Sequence, residues 1–173
     1  MNPALKNEAE RLAIRRVHRS EGFSLIELLI VVAIILIIAA IAVPNLIKAR
    51  ISANEASAVS SMRTYTSANV AYSTLCPLIG FPTTLADLGP GGGACAGGAN
   101  IVDPVLGSAA PVKAGYGFTY TPVAVSGTNT NYTMNGTPII VGATGQRNFF
   151  CDETGLIRYN ATGVAATVAS PPL

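Results

Sequence analysis

One carboxylate stands inside a long apolar stretch near the N-terminus of the sequence. The stretch runs from Phe23 to Pro44, and only Ser24 and Glu27 interrupt its apolar side chains. An ionised side chain in hydrocarbon costs several kcal/mol, so such residues pair with another charge and mark functional positions. Glu27 is therefore the first candidate for chemistry in this chain, and ion pairing with a cation is the chemistry that its surroundings demand.

The element that positions Glu27 is a helix long enough to cross a bilayer. About 20 apolar residues in a helix span the ~30 Å hydrocarbon core, and residues 23–43 meet that length. Five basic residues precede the stretch, whereas Lys48 and Arg50 are the first to follow it. This bias favours residues 1–22 in the cytoplasm and the rest of the chain outside.

A secretory signal peptide is the alternative interpretation of the same segment. Its basic region and apolar core would end at an A-x-A-like cleavage site, and Ala40-Ile41-Ala42 has that form. The mature chain would then begin at Val43 and form a secreted binding module. Glu27 argues against this interpretation, because a charge in a discarded apolar segment has a cost and no role.

Four residues in register at the two ends of the apolar stretch form a specific pattern. They are Gly22, Phe23, Glu27 and Pro44. The pattern resembles the class III signal of type IV prepilins and type II secretion pseudopilins. The resemblance implies that a prepilin peptidase cuts between Gly22 and Phe23 and methylates the new amine of Phe23. It also implies that Glu27 pairs with the amine of a neighbouring subunit and that the helix bends or unwinds at Pro44 on assembly.

The resemblance implies a structural subunit of a type IV pilus, serving adhesion, motility or DNA uptake. A type II secretion pseudopilin, acting in protein export, is the alternative within the same family. The implied partners are further copies of the chain, the prepilin peptidase, an inner-membrane platform protein and an assembly ATPase. The subunit would cross the inner membrane once, with its N-terminus in the cytoplasm, and later enter an extracellular pilus or periplasmic pseudopilus.

The residues needed for an enzyme or a nucleic-acid surface are missing from the sequence. The single histidine, His18, lies in residues 1–22, the leader that the predicted cleavage removes. The mature chain therefore has no Ser-His-Asp or Cys-His arrangement. Residues 23–173 hold six basic and six acidic residues, which is not the basic patch that binds nucleic acid. We predict no catalytic residue and no cofactor. Calcium at Asp152 and Glu153 is the one exception considered, since some pseudopilins bind calcium in this region, and a solvated acidic turn is the alternative.

The sequence after the leader predicts an α+β protein with the pilin fold. One long N-terminal helix is expected, transmembrane over residues 23–44 and amphipathic over residues 45–76, packed on a small antiparallel sheet in the head, residues 77–173. Apolar residues at helical spacing after residue 44 predict the amphipathic half. The stripe comprises Ile47, Ile51, Ala58, Met62, Tyr65 and Tyr72.

The head is predicted to begin as a loop and to continue as strands. A helical turn is expected at residues 84–88, with Thr83 or Thr84 as its cap. The segments 148–151 and 156–159 are expected to form a hairpin, and the tail from Ala161 is expected to be mobile. The other strand candidates are residues 116–120, 131–134 and 138–141.

Three cysteines allow one disulfide if the head lies outside the cytoplasm. Cys76 and Cys95 bracket the first half of the loop, so we expect them to pair and leave Cys151 alone. Three free thiols is the alternative. None of the three lies in a C-x-x-C pair, which argues against structural zinc.

Overall fold

The computed structural model describes residues 22–95 and 97–173. The chain divides into two units, Met1–Ala42 and Val43–Leu173. One helix, α1, contains residues of both units and runs from Leu25 to Leu75. The predicted leader lies outside the described residues except for Gly22.

In the first unit, α1 is apolar on every side. An 18-residue window of the helix has a mean hydropathy of 3.3, and none of that window is buried. By length and composition, α1 is the one helix in the described part of the chain that can cross a membrane. A helix that is apolar all round needs lipid or protein as its neighbour.

In the second unit, α1 buries one face. Most of its buried residues recur at spacings of three and four, which places their side chains on one side of a helix. The apolar members of this face include Ala58, Met62, Tyr65, Ala68 and Tyr72. The helix ends at Leu75 because Pro77 disfavours helical backbone at the residue before it. The predicted amphipathic helix is therefore confirmed.

The predicted stripe is wrong at its start. Ile47 is 48% exposed and Ile51 is only half buried, whereas Glu55 and Ser61, which the predicted stripe did not include, are buried. The physical reason is that the head presents backbone N–H groups to this part of the helix. A carboxylate accepts hydrogen bonds from such groups, and an isoleucine does not.

Within the described residues, five antiparallel strands form one sheet in sequential order. Each strand pairs with the next one along the chain, so short connections suffice. The strands are β1 (Val112–Lys113), β2 (Tyr116–Val125), β3 (Thr128–Pro138), β4 (Asn148–Asp152) and β5 (Arg158–Asn160). The predicted α+β arrangement of one long helix on an antiparallel sheet is confirmed.

The core of the second unit lies between α1 and the sheet. Alternate residues of β2 and β3 are buried, as expected when one face of a sheet is covered. The ring of Tyr65 on α1 meets the ring of Phe118 on β2 edge-on, at 5.5 Å between centroids. Gly136 on β3 leaves space for Phe118 and Met62, because a Cβ at position 136 would lie 3.3 Å from the Phe118 ring and 3.4 Å from the sulfur of Met62.

Three predicted strand limits are wrong, and one of them is that of the 131–134 candidate, which is the middle of the longer β3. β2 continues through Pro122 to Val125. β1 pairs with β2 only at Tyr116 and Gly117, so the rest of that edge of β2 is unpaired. A proline, which has no N–H to donate, is tolerated at such an edge. The candidate strand at residues 138–141 is a loop, since β3 ends at Pro138. The predicted 84–88 turn is confirmed as the 3-10 helix Leu85–Leu88, and the 148–159 hairpin is confirmed as β4 and β5.

The C-terminal tail packs against β5, where the sequence predicted mobility. The N–H of Tyr159 donates to the carbonyl of Pro171 at 3.0 Å, and the N–H of Leu173 donates to the carbonyl of Ile157 at 2.9 Å. Ala166 is buried at 3% exposure. Small residues let the tail lie close to the edge of the sheet, and that edge supplies its hydrogen bonds.

A buried carboxylate joins α1 to the loop before β4. The N–H groups of Gln146 and Arg147 donate to Glu55 Oε1 at 2.9 and 3.1 Å, and Arg147 Nε donates to Oε2 at 2.8 Å. Burial alone would raise the pKa of Glu55, but these donors and the guanidinium charge outweigh it and hold the pKa below its usual range. The Arg147 guanidinium also lies over the rings of Phe149 and Tyr159. Helix and sheet are thus joined by charge as well as by apolar contact.

A disulfide joins Cys76 and Cys95 and ties the end of α1 to the following loop. The Tyr72 hydroxyl donates to the Cys95 carbonyl in the same place. Cys151 is a free thiol with no exposed surface, and its sulfur lies 3.4 Å from Thr66 Oγ1. Burial raises the pKa of the Cys151 thiol, so the thiol stays protonated and unreactive.

The first prediction concerns the number of thiols that a maleimide reagent can reach. We expect none in the folded protein, one after unfolding without reductant and three after unfolding with reductant. Intact-mass spectrometry measures each count. In the control variant Cys151→Ala, the count after unfolding without reductant should fall to zero. Three reactive thiols in unreduced, unfolded protein would show that the disulfide does not form.

The second prediction concerns the ion pair of Glu55. Glu55→Gln should lower the free energy of unfolding by about 1–3 kcal/mol, because the buried end of the pair loses the charge that accepts from Arg147 and from two backbone N–H groups. The matched control is Lys113→Gln, which breaks an exposed pair with Asp103 at 3.2 Å. Lys113→Gln should lower the free energy of unfolding by less than about 1 kcal/mol. Denaturant unfolding in detergent, followed by circular dichroism, measures both.

The same pair predicts a pH dependence. The folded-state pKa of Glu55 lies below the unfolded value of about 4.3, so its contribution is complete above that value and is lost as pH falls through the folded-state pKa. The difference in unfolding free energy between the wild type and Glu55→Gln should therefore shrink below about pH 4. A difference that stays constant down to the pH of acid unfolding would contradict the assigned ionic role.

Candidate processing and assembly site

The residues around the predicted cleavage point precede the helix. Gly22, Phe23 and Ser24 lie outside α1, and Phe23 is 73% exposed. In the part of the chain that the structure describes, nothing lies within 4 Å of the position that a Cβ at Gly22 would take. The peptide bond between Gly22 and Phe23 is therefore open to an enzyme, and the fold does not itself require glycine at position 22.

Glu27 lies in the first turn of α1 and accepts a backbone hydrogen bond at the start of the helix. The N–H of Ser24 donates to Glu27 Oε2 at 2.9 Å, and the N–H of Leu28 donates to the Ser24 carbonyl at 3.2 Å. This is one half of a capping box, in which an acidic third residue satisfies the backbone N–H of the capping residue. The helix dipole also favours a negative charge at this end.

The sequence prediction assigned Glu27 to an ion pair between subunits and missed its capping role within the chain. The spacing Ser24-x-x-Glu27 is the signal that could have identified that role. The two roles are compatible, because a carboxylate has two oxygens and about four acceptor positions. The N–H of Ser24 uses one acceptor position on Glu27 Oε2 and holds the carboxylate beside the start of the helix.

Pro44 lies inside α1, and the helix runs through it without interruption. Proline has no N–H, so position 44 donates nothing to the carbonyl of Ala40, one turn earlier. The helix is weaker at this point, which lies just after the boundary between the two units at Ala42. The structure therefore places Pro44 within the helix and not at its end.

Of the calcium candidates, Asp152 is the last residue of β4 and Glu153 follows it in the turn to β5. The N–H of Thr154 donates to Asp152 Oδ1 at 3.1 Å, and Asn131 Nδ2 donates to Glu153 Oε1 at 2.9 Å. Calcium takes six to eight oxygen ligands. The described residues contain no group of three or more His, Cys, Asp or Glu side chains that could hold a metal ion. Calcium binding at this turn stays a prediction of the sequence.

Comparison with known proteins bears on the N-terminal segment. A family model described as the prokaryotic N-terminal methylation motif matches residues 17–43. The match includes Gly22, Phe23 and Glu27 and ends one residue before Pro44. Neither the curated proteins nor the solved structures give a significant match. The chain therefore carries the class III signal of type IV pilins and pseudopilins, and the matched residues include the start of the helix that can cross a membrane.

Proposed function

We propose that this chain is the prepilin of a type IV pilus, a structural subunit that is cleaved, N-methylated and polymerised into a helical filament. The observation that carries the proposal is the methylation motif at the start of a helix whose apolar window is wholly unburied. So much apolar surface must be covered by lipid before assembly and by other helices after it. No catalytic role is proposed.

Cleavage at this point differs in its consequence from cleavage by an ordinary signal peptidase. A cut between Gly22 and Phe23 keeps the apolar segment on the mature protein and creates an α-amine at Phe23. That cation lies four residues from Glu27 along the chain. A carboxylate in apolar surroundings is strongly stabilised by a nearby cation with good hydrogen-bond geometry. In the filament, the amine of one subunit supplies that cation to Glu27 of its neighbour.

Packing and register direct the assembly of the filament. Lipid tails are as apolar as leucine, so moving a helix from lipid to protein gains little hydrophobic free energy. Small residues permit close approach of helices, and the apolar half has Ala33, Ala39, Ala40 and Ala42. A buried polar pair then fixes the register, and a head-to-tail contact that does not close produces a fibre.

The proposed location and partners follow from that route. The prepilin crosses the inner membrane once, and a prepilin peptidase, a platform protein and an assembly ATPase act on it there. The finished filament is extracellular and serves adhesion, motility or DNA uptake. The loop closed by Cys76 and Cys95 favours the pilus over a periplasmic pseudopilus acting in export. A pseudopilus remains the second candidate, because both classes share the methylation motif.

The third prediction concerns the mature N-terminus. Mass spectrometry of protein from cells with the matching peptidase should find a chain that begins at a methylated Phe23. Gly22→Val should leave the precursor uncut, and its head should fold normally because no described atom lies near that side chain. A chain beginning at Val43 would contradict the proposal and support a secreted binding module.

The fourth prediction separates the charge of Glu27 from its capping hydrogen bond. Glu27→Gln keeps an oxygen that can accept from the N–H of Ser24 but removes the charge. Surface filaments, counted by electron microscopy, should fall at least about tenfold, the effect of roughly 1.4 kcal/mol lost at each contact between subunits. Membrane insertion and cleavage should be unchanged.

The matched control for this experiment is Glu153→Gln, a neutralised and exposed glutamate in the head. Its filament count should match that of the wild type. Filaments of normal number and length in Glu27→Gln would contradict the register role. Equal loss in both variants would show that a general change of charge is responsible.

A further inference from the structure

Four exposed apolar side chains form a patch on the second unit. Ile139, Ile140 and Val141 follow β3 and are 56%, 58% and 58% exposed, and Val164 in the tail is 63% exposed. A Cβ at Gly163 would lie 3.7 Å from Val141 Cγ1, so the loop and the tail meet here. We call these four residues the loop patch. Contiguous apolar surface of this kind marks a contact with another surface.

Hydrogen bonds hold the loop patch in place. The N–H of Ile139 donates to the carbonyl of Gly115 at 2.9 Å, and the N–H of Thr144 donates to the carbonyl of Ile140 at 2.9 Å. The N–H of Gly142 donates to the carbonyl of Gly145 at 2.8 Å. A loop with its backbone bonded in this way keeps its apolar side chains outward and cannot easily turn them into the core.

The loop that bears the patch is attached to α1 at Asn54 and Glu55, within the part of the helix that follows Pro44. Asn54 Nδ2 donates to the carbonyl of Thr144 at 2.8 Å, and Glu55 holds Arg147. Ten residues of helix, or about 15 Å, separate Pro44 from Asn54. A cavity of about 360 Å³ lies beside the part of α1 from Lys48 to Glu55. It is lined by Lys48, Ile51, Ser52, Glu55, Gln146, Arg147 and Ala161.

The chain segments that meet near the loop patch hold more basic than acidic residues, and Lys48 and Arg147 line the same cavity. Residues 43–60 and 139–147 contain Lys48, Arg50 and Arg147, and Glu55 is the single acidic residue in these two segments. The Glu55 side chain is only 7% exposed and is held by Arg147. The charge available to a partner at this end of the second unit is therefore positive.

We propose that the loop patch is a second membrane contact of the subunit, one that binds the surface of an anionic bilayer. Apolar side chains beside basic ones are the composition of interfacial membrane-binding segments. The start of the second unit is apolar and exposed as well, since Val43 and Leu46 are 53% and 69% exposed. The four side chains enter the interface, and Lys48 and Arg50 bind lipid phosphates. The inference rests on the membrane-anchored stage of the proposed function and extends beyond filament assembly.

The chain has no tryptophan, so one introduced indole reports its own surroundings. We would compare Ile140→Trp in the loop patch with the matched control Leu78→Trp, at a residue that is 89% exposed beyond the end of α1. Both full-length variants are placed at one copy per nanodisc. The discs contain phosphatidylcholine alone or mixed with phosphatidylglycerol, with brominated acyl chains as the quencher.

The indole of Ile140→Trp should be quenched by brominated lipid and shielded from acrylamide, and that of Leu78→Trp should show neither effect. Because each basic residue near an anionic surface adds about 1 kcal/mol, Lys48→Gln should weaken the contact about fivefold in the anionic discs. In discs of phosphatidylcholine alone, the same substitution should have no effect.

Three results would overturn the inference. Equal acrylamide exposure of the two indoles would show that the loop patch stays in water. Shielding that appears only at several copies per disc would show that the patch binds a second copy of the chain. A chain that does not remain with the discs would contradict the membrane stage of the proposed function, and this inference with it.

Discussion

A charged carboxylate at the start of an apolar helix must be satisfied in every environment that the helix enters, and this constraint links the parts of the molecule. Within a single chain, Glu27 accepts from the N–H of Ser24 and closes the first turn of α1. In lipid, that bond and the helix dipole stabilise the anion only in part. An amine made at Phe23 by cleavage would supply the missing cation, so the proposed processing and the proposed assembly would depend on the same four-residue spacing.

The surroundings of α1 change beyond Pro44, so the side chains of one helix must suit two different environments. Up to that point every side of the helix is exposed and apolar, as suits lipid or other helices. After it, one face packs on the sheet through Met62 and Tyr65, and Glu55 forms the charged link to Arg147. The helix continues through a proline that removes one backbone hydrogen bond, so bending there costs less than elsewhere.

The sequence predicts those features that local chemistry decides. Gly22, Phe23 and Glu27 predict the processing motif, Pro77 predicts the end of α1, and the alternating aromatics predict the sheet. It does not predict the features that arise when distant segments meet. Glu55 looks like an outward-facing charge until the loop before β4 brings N–H groups to it, from 91 and 92 residues away. The tail looks mobile by composition, and its hydrogen-bond partners at Asn148, Ile157 and Tyr159 come close only once the sheet has formed.

The loop patch adds a consequence for assembly. Its four apolar residues and the apolar half of α1 are both exposed, and both would need cover in a bilayer or in the proposed fibre. If lipid covers them first and protein covers them later, the apolar area removed from water hardly changes between the two states. Apolar burial then favours neither state by much, because its free energy follows that area. On the proposed function, direction would then come from the pairing of Glu27 with a new amine and from work done by an assembly ATPase.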